Sequence, residues 1–177
     1  MKILKKLLLI VVVLVVLLAV IGLFLPSHYR VERSVTMRAK PDAIYAQISN
    51  FKNWLQWIAW NQTRYPDMQV TFDGPESGVG AGYSWDGKSS GQGTIKLTRA
   101  EPEKGIAYDL DFEHGKYKSR GEIILAPSGD SAKVTWTNEG DLGANPVNRY
   151  FGLLMDKMMG PDFEEGLNNL KRKVEAN

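Results

Sequence analysis

Residues 7–25 read LLLIVVVLVVLLAVIGLFL, an unbroken apolar run of 19 residues. As a helix this run spans about 28 Å at about 1.5 Å per residue, enough to cross the hydrocarbon core of a bilayer. Lys2, Lys5 and Lys6 precede it without an acidic residue, so the positive-inside bias keeps the short N-terminus in the cytoplasm and sends the remainder outward. A cleaved secretory signal is the competing reading. Such a signal has an apolar stretch of about 7 to 15 residues closed by a small-x-small site. This run is longer and ends Gly22-Leu23-Phe24-Leu25-Pro26-Ser27, which favours an anchor. The chain therefore divides into a cytoplasmic stub and transmembrane anchor, residues 1–27, and an outer domain, residues 28–177, expected on the non-cytoplasmic, periplasmic side.

The 152 residues from Pro26 onward suit one domain with a real core. The formal charge of +2 includes the three anchor-region lysines, which leaves the outer part at −1. A phosphate-backbone binder needs a concentrated basic face, so nucleic acid is excluded as a partner. The membrane is expected as a partner through the anchor alone. With no cysteine, the chain forms no disulfide, thiolate metal site or cysteine nucleophile.

Tyr29 to Met37 alternates, placing Val31, Arg33, Val35 and Met37 on one side of a first strand. Pro41 and Asp42 suit the first turn of a short helix to about Ser49, in which Ile44, Tyr45 and Ile48 share a face. Trp54, Trp57 and Trp60, spaced by three, predict a stripe on a second short helix. From Met68 to Gly140, short alternating runs separated by Gly, Pro and Asp predict an antiparallel meander of about six strands. A turn at His114-Gly115 would set Glu113 opposite Lys116, Phe112 opposite Tyr117, Asp111 opposite Lys118, Asp109 opposite Arg120 and Ile106 opposite Ile123. In that register the charges take one face, and Tyr108, Leu110 and Phe112 take the other. Ser131 to Gly140 points Ala132, Val134, Trp136 and Asn138 one way. After Pro146, Phe151, Leu154, Met155, Met158, Phe163, Leu167, Leu170 and Val174 predict a long C-terminal helix, kinked or broken at Gly160-Pro161-Asp162. Strands segregated from that helix give an α+β class, with the helix covering the sheet's apolar face.

Six segments in order carry a resemblance to a known family: Ala39-Lys-Pro-Asp-Ala-Ile-Tyr45, Phe51-x-x-Trp54-x-x-Trp57, Gly74-Pro-x-x-Gly78-Val-Gly80-Ala-Gly-Tyr83-x-Trp85, Val134-Thr-Trp136, Gly140-Asp-Leu-Gly143 and Phe163-x-x-Gly166-Leu-x-x-Leu170-Lys. Together they cover nearly all of residues 29–175, and the chain resembles the SRPBCC superfamily, the START and polyketide-cyclase-like group. The resemblance implies a helix-grip fold: a curved antiparallel sheet of about seven strands around a long C-terminal helix, with a cavity between them that accepts a hydrophobic ligand in many members. It does not imply one chemistry, since lipid carriers, cyclases, hormone receptors and chaperone regulators share it. Lys40 departs from the pattern, standing where a small or capping residue is usual.

His28 at the membrane edge and His114 in a turn are the two histidines, and neither suits an interior acid-base pair or metal site. No catalytic residue, metal or cofactor is therefore expected. Asp109, Asp111 and Glu113 face cations across the hairpin and read as solvated ion pairs. Gly74, Gly78, Gly80 and Gly82 lead into a strand and lack the Gly-Lys-Ser/Thr ending of a phosphate loop.

The aromatic and methionine set, Trp57, Trp60, Tyr83, Trp85, Tyr108, Phe112, Trp136, Met155 and Met158, reads either as core or as the lining of a ligand cavity. Gly91, Gly93, Ser119 and Gly121 on the inward face would leave it room, and inward-facing Asn138 requires a polar partner. The resulting expectation is a membrane-anchored module binding a hydrophobic or amphipathic small molecule or lipid. The alternatives are a cyclase- or dehydratase-type enzyme using the same cavity, and an envelope protein-interaction domain without ligand.

Overall fold

A computed structural model describes residues 2–176 of the chain. Helix α1 (Lys2–Phe24) is followed by strand β1 (His28–Met37), helices α2 (Pro41–Ile48) and α3 (Phe51–Trp54), six strands, and helix α4 (Pro146–Glu175). The six strands are β2 (Gln69–Asp73), β3 (Gly82–Gly87), β4 (Gly91–Glu101), β5 (Gly105–Phe112), β6 (Tyr117–Ser128) and β7 (Ser131–Asp141). With β1 they form one seven-stranded antiparallel sheet ordered β1-β7-β6-β5-β4-β3-β2. Consecutive strands from β2 to β7 are neighbours, and β1 closes the sheet against β7. The α2–α3 segment carries the chain from the β1 edge to the β2 edge.

The hairpin register is the one the charge pattern predicts: Phe112 pairs with Tyr117, Asp111 with Lys118, Asp109 with Arg120 and Ile106 with Ile123. Glu113, His114 and Gly115 all take positive φ, and Lys116 N–H closes the turn on the Glu113 carbonyl at 3.2 Å. Of the facing charges, Lys118 comes within 3.7 Å of Asp111, whereas Arg120 turns to Glu122 at 3.6 Å. Ala132, Val134, Trp136 and Asn138 are all buried, as the β7 alternation requires. The glycine-rich segment joins β2 to β3 and is tied down by Gly80 N–H on the Leu97 carbonyl at 2.9 Å.

The α3 region differs from the expected stripe. The helix is only four residues long, and the chain continues in turns, so Trp54 and Trp57 are buried while Trp60 is 37% exposed. Asn61 accepts backbone N–H bonds from Thr63 and Arg64, a local side-chain geometry that competes with helix continuation.

Helix α4 is also different, since it runs unbroken through Pro161. Arg33 of β1 bridges the site: it donates to Asp156 at 2.7 and 3.0 Å before the proline and to Glu164 at 2.6 Å after it. Its guanidinium lies against Gly160, where a Cβ would stand 2.7 Å from Arg33 Cζ. Arg64 adds a second bridge on the far side, to Asp162 at 2.5 Å and Glu165 at 2.6 Å. These charge-assisted bonds on both sides of Pro161 offset the backbone bond the proline removes.

The C-terminal half of α4 buries Phe163, Gly166, Leu167, Leu170 and Val174 against the sheet. Phe163 stacks on Trp136 with centroids 4.1 Å apart, and Trp54 and Trp57 meet Trp136 edge-on at 5.8 and 5.5 Å. Burying one such ring contributes about 4 to 6 kcal/mol of gross transfer free energy at about 25 cal/mol per Å². In the N-terminal half Phe151, Leu154 and Met158 are instead exposed, because this half turns Met155, Met159 and Gly160 to the core, and Phe151, Leu154 and Met158 lie on another face of the helix.

Candidate functional site

Two rows of side chains cross the inner face of the sheet beside α4. One is Leu97, Tyr108, Gly121, Asn138 and Val31, and the next is Ile95, Leu110, Ser119, Gly140 and Tyr29. The first row is sealed under α3, with Trp54 meeting Tyr108 edge-on at 5.4 Å. The second is not: Leu110, Ser119 and Tyr29 are half-buried, as are Phe112 on β5 and Met155 and Met159 on α4. An apolar stretch of the inner face, next to the N-terminal half of α4, is thus only partly covered.

Behind it runs a polar network. Tyr29 Oη donates to Asn138 Oδ1 at 3.0 Å, and Asn138 Nδ2 donates to Ser119 Oγ at 3.1 Å. Trp136 Nε1 donates to Tyr108 Oη at 2.8 Å. The polar partner that a buried Asn138 requires is therefore supplied by two other strands. Burial pushes the Tyr108 hydroxyl up to about 12, against the opposing pull of its bonds to Trp136 and Asn138. Burial also raises Tyr29 and Tyr83, so each remains a hydrogen-bond donor at neutral pH. The buried Trp85 Nε1 has no hydrogen-bond partner among the described residues.

The expected lining residues separate into groups. Trp57, Tyr108 and Trp136 belong to the aromatic core under α3. Tyr83, Trp85 and Phe112 form a chain of ring contacts at 5.8 and 6.2 Å along β3 and β5. Met155 and Asn138 border the partly covered stretch. Trp60 finds its ring partner in Tyr65, and Met158 is 61% exposed, so neither joins the rest. The space expected above three glycines is taken by rings: Phe112 lies over Gly91, Trp85 over Gly93 and Tyr108 over Gly121. Tyr29, Leu110 and Ser119 escape a sequence reading because strand pairing, not spacing, aligns them.

Outside this region, an open concavity of about 540 Å³ lies mainly on the polar outer face of the sheet, lined by Thr71, Ser84, Thr94, Asp111 and Lys118 among others. Among the described residues, no three His, Asp or Glu side chains gather as metal ligands.

A seven-stranded antiparallel sheet gripping a long C-terminal helix defines the α+β helix-grip class. The chain matches the family described as "Polyketide cyclase / dehydrase and lipid transport" over residues 28–175, and it belongs to that family, of SRPBCC type. A protein of Chromobacterium violaceum is similar at 20% identity and TM-score 0.55, covering 86% of this chain and 100% of its own. One from Thermobifida fusca is 18% identical with TM-score 0.61, covering 83% and 93%. A hypothetical protein of Helicobacter pylori is 7% identical with TM-score 0.62, covering 82% and 87%. These likenesses show the fold alone. No curated protein sequence matches the chain.

Proposed function

We propose that the protein is a membrane-anchored binding module for a hydrophobic or amphipathic small molecule or lipid. The observation that carries this reading is the partly covered apolar stretch of Leu110, Phe112 and Met155 backed by the Tyr29–Asn138–Ser119 network. Apolar walls with a few placed polar groups are what a ligand of mixed character requires. The family description, which includes lipid transport, points the same way. Helix α1, whose most apolar 18 consecutive residues have mean hydropathy 3.6 and almost no buried surface, supports the anchor, and the lysines in its first turns support an outward-facing domain. A cyclase- or dehydratase-type reaction in the same place is the second reading, favoured by the family description.

Native mass spectrometry of the detergent-extracted full chain, with extraction of whatever it retains, tests the proposal. A retained apolar molecule is expected, and it should be lost from Ser119→Trp, which fills the stretch. A chain that retains nothing, or a variant that retains as much as the wild type, sinks the binding reading. A retained molecule that changes mass on incubation would select the enzymatic one.

A further inference from the structure

On α4, the exposed apolar residues Val147, Phe151, Leu154 and Met158 follow one another at spacings of four, three and four, so they form a single stripe. They are 60%, 54%, 47% and 61% exposed, a continuous apolar face that no other part of the chain covers among the described residues. The buried residues of the C-terminal half, Phe163, Leu167, Leu170 and Val174, lie on the opposite side of the same helix. The stripe is therefore not a frayed piece of the core.

Its position relative to α1 is fixed by several contacts. Pro146 and Tyr150 pack on Gly22 so closely that a Cβ there would meet Pro146 Cβ at 2.7 Å. Tyr150 Oη donates to the Leu18 carbonyl at 2.7 Å, and Arg149 Nη1 donates to the carbonyls of Leu23 at 2.7 Å and Leu25 at 3.3 Å. Leu18 precedes the end of α1 by six residues, about 9 Å along the helix at about 1.5 Å per residue. The start of α4 thus overlaps the last turns of the apolar helix instead of sitting beyond it. Leu142 N–H on the Ser27 carbonyl at 2.7 Å ties down the short link to β1, so the domain is held against α1.

We propose that this stripe lies in the bilayer at the boundary of headgroups and acyl chains of the leaflet where α1 emerges, making the first turns of α4 a second membrane contact. This rests on the reading of α1 as a membrane anchor. An in-plane helix buries its apolar face about 5 to 10 Å into that boundary, which matches the overlap with α1. Tyr150, an amphipathic ring beside the last turns of α1, is a side-chain type that sits at that level. The contact places the partly covered stretch of the inner face, bordered by Met155 and Met159 of the same helix segment, next to lipid. An apolar ligand would then pass between bilayer and domain without crossing water.

The absence of cysteine makes single-cysteine spin labelling direct. Full-length variants Phe151→Cys and Leu154→Cys are labelled and reconstituted in vesicles of phosphatidylcholine and phosphatidylglycerol, with Leu14→Cys in α1 and Lys133→Cys on the exposed side of β7 as references. Collision with oxygen, which partitions into lipid, is compared with collision with a polar nickel chelate. The expected result is a ratio several-fold higher at positions 151 and 154 than at 133, approaching that at 14. If 151 and 154 behave like 133 while 14 reports lipid, the second contact is refuted and the anchor stands. If 14 itself reports water, the anchor reading fails and the proposal with it. Shielding of 151 and 154 from both reagents, with spin–spin broadening, would mean that a second copy covers the stripe and would also overturn the proposal.

Discussion

Gly121→Ala is the most informative single substitution in the sheet. Gly121 pairs with Tyr108, and a Cβ built on it would stand 2.6 Å from Tyr108 Cε1 and closer still to Cζ and Oη. The tyrosine cannot yield cheaply. It is 2% exposed, meets Trp54 edge-on at 5.4 Å, and accepts the Trp136 indole N–H at 2.8 Å. Moving the ring out to ordinary contact, about 3.5 to 4 Å, requires a shift of about 1 Å or more into close-packed neighbours. Overpacking of this kind costs about 1 to 3 kcal/mol. Breaking the Trp136 bond leaves a buried donor unpaired at about 1 to 3 kcal/mol more. The substitution should therefore lower stability by about 2 to 6 kcal/mol, a large part of the about 5 to 15 kcal/mol typical of a domain. Urea unfolding of the full chain in mild detergent, followed by tryptophan fluorescence, measures it. Adding Tyr108→Leu removes the colliding ring, so the double variant should be more stable than the sum of the two single effects by at least about 1 kcal/mol. A Gly121→Ala chain within about 0.5 kcal/mol of the wild type, or strictly additive effects, would refute the packing argument.

Two further outcomes follow from the same structure. Tyr108, held up at about 12 by burial, and Tyr83, raised likewise, bind protons in the folded chain that the unfolded chain releases near 10. Stability should be fully present below pH 10 and fall as pH rises toward 12, by about 1.4 kcal/mol per unit for each group; denaturation midpoints that stay flat over that range would contradict it. Arg33→Met removes the bridge across Pro161, and hydrogen exchange should quicken in residues 146–159 of α4 well before residues 163–174; equal acceleration in both halves would show that Arg33 does not act on the proline site.

Much of the site was hidden from sequence because its partners are far apart in the chain. Asn138 was recognisable as an inward polar residue, since β7 alternates strictly, but its bonding to Tyr29 depends on β1 returning 109 positions away to pair with β7. The helix break expected at Pro161 failed for a similar reason. Local preference favoured an interruption, and Arg33, 123 and 131 positions from its two partners on α4, supplied the bonds that hold the helix together. Gly91, Gly93 and Gly121 read as open space, yet a glycine in a sheet equally admits a neighbour's ring, and only the packing distinguishes the two.

By itself the sequence determined the apolar helix, the α+β class, the β5–β6 register and the family, because each rests on local period, length or ordered motifs that side chains impose on their own neighbourhood. Tertiary structure alone decided which apolar residues became core. Phe151, Leu154 and Met158 recur at helical spacing, as do Phe163, Leu167 and Leu170, but the five-residue step from Met158 to Phe163 turns the two sets to opposite sides of the helix, and spacing does not say which side meets the sheet. The core takes Phe163, Leu167 and Leu170 together with Met155 and Met159 of the first half, whose start Arg149 and Tyr150 hold alongside α1, and the apolar stripe on its other face stays exposed.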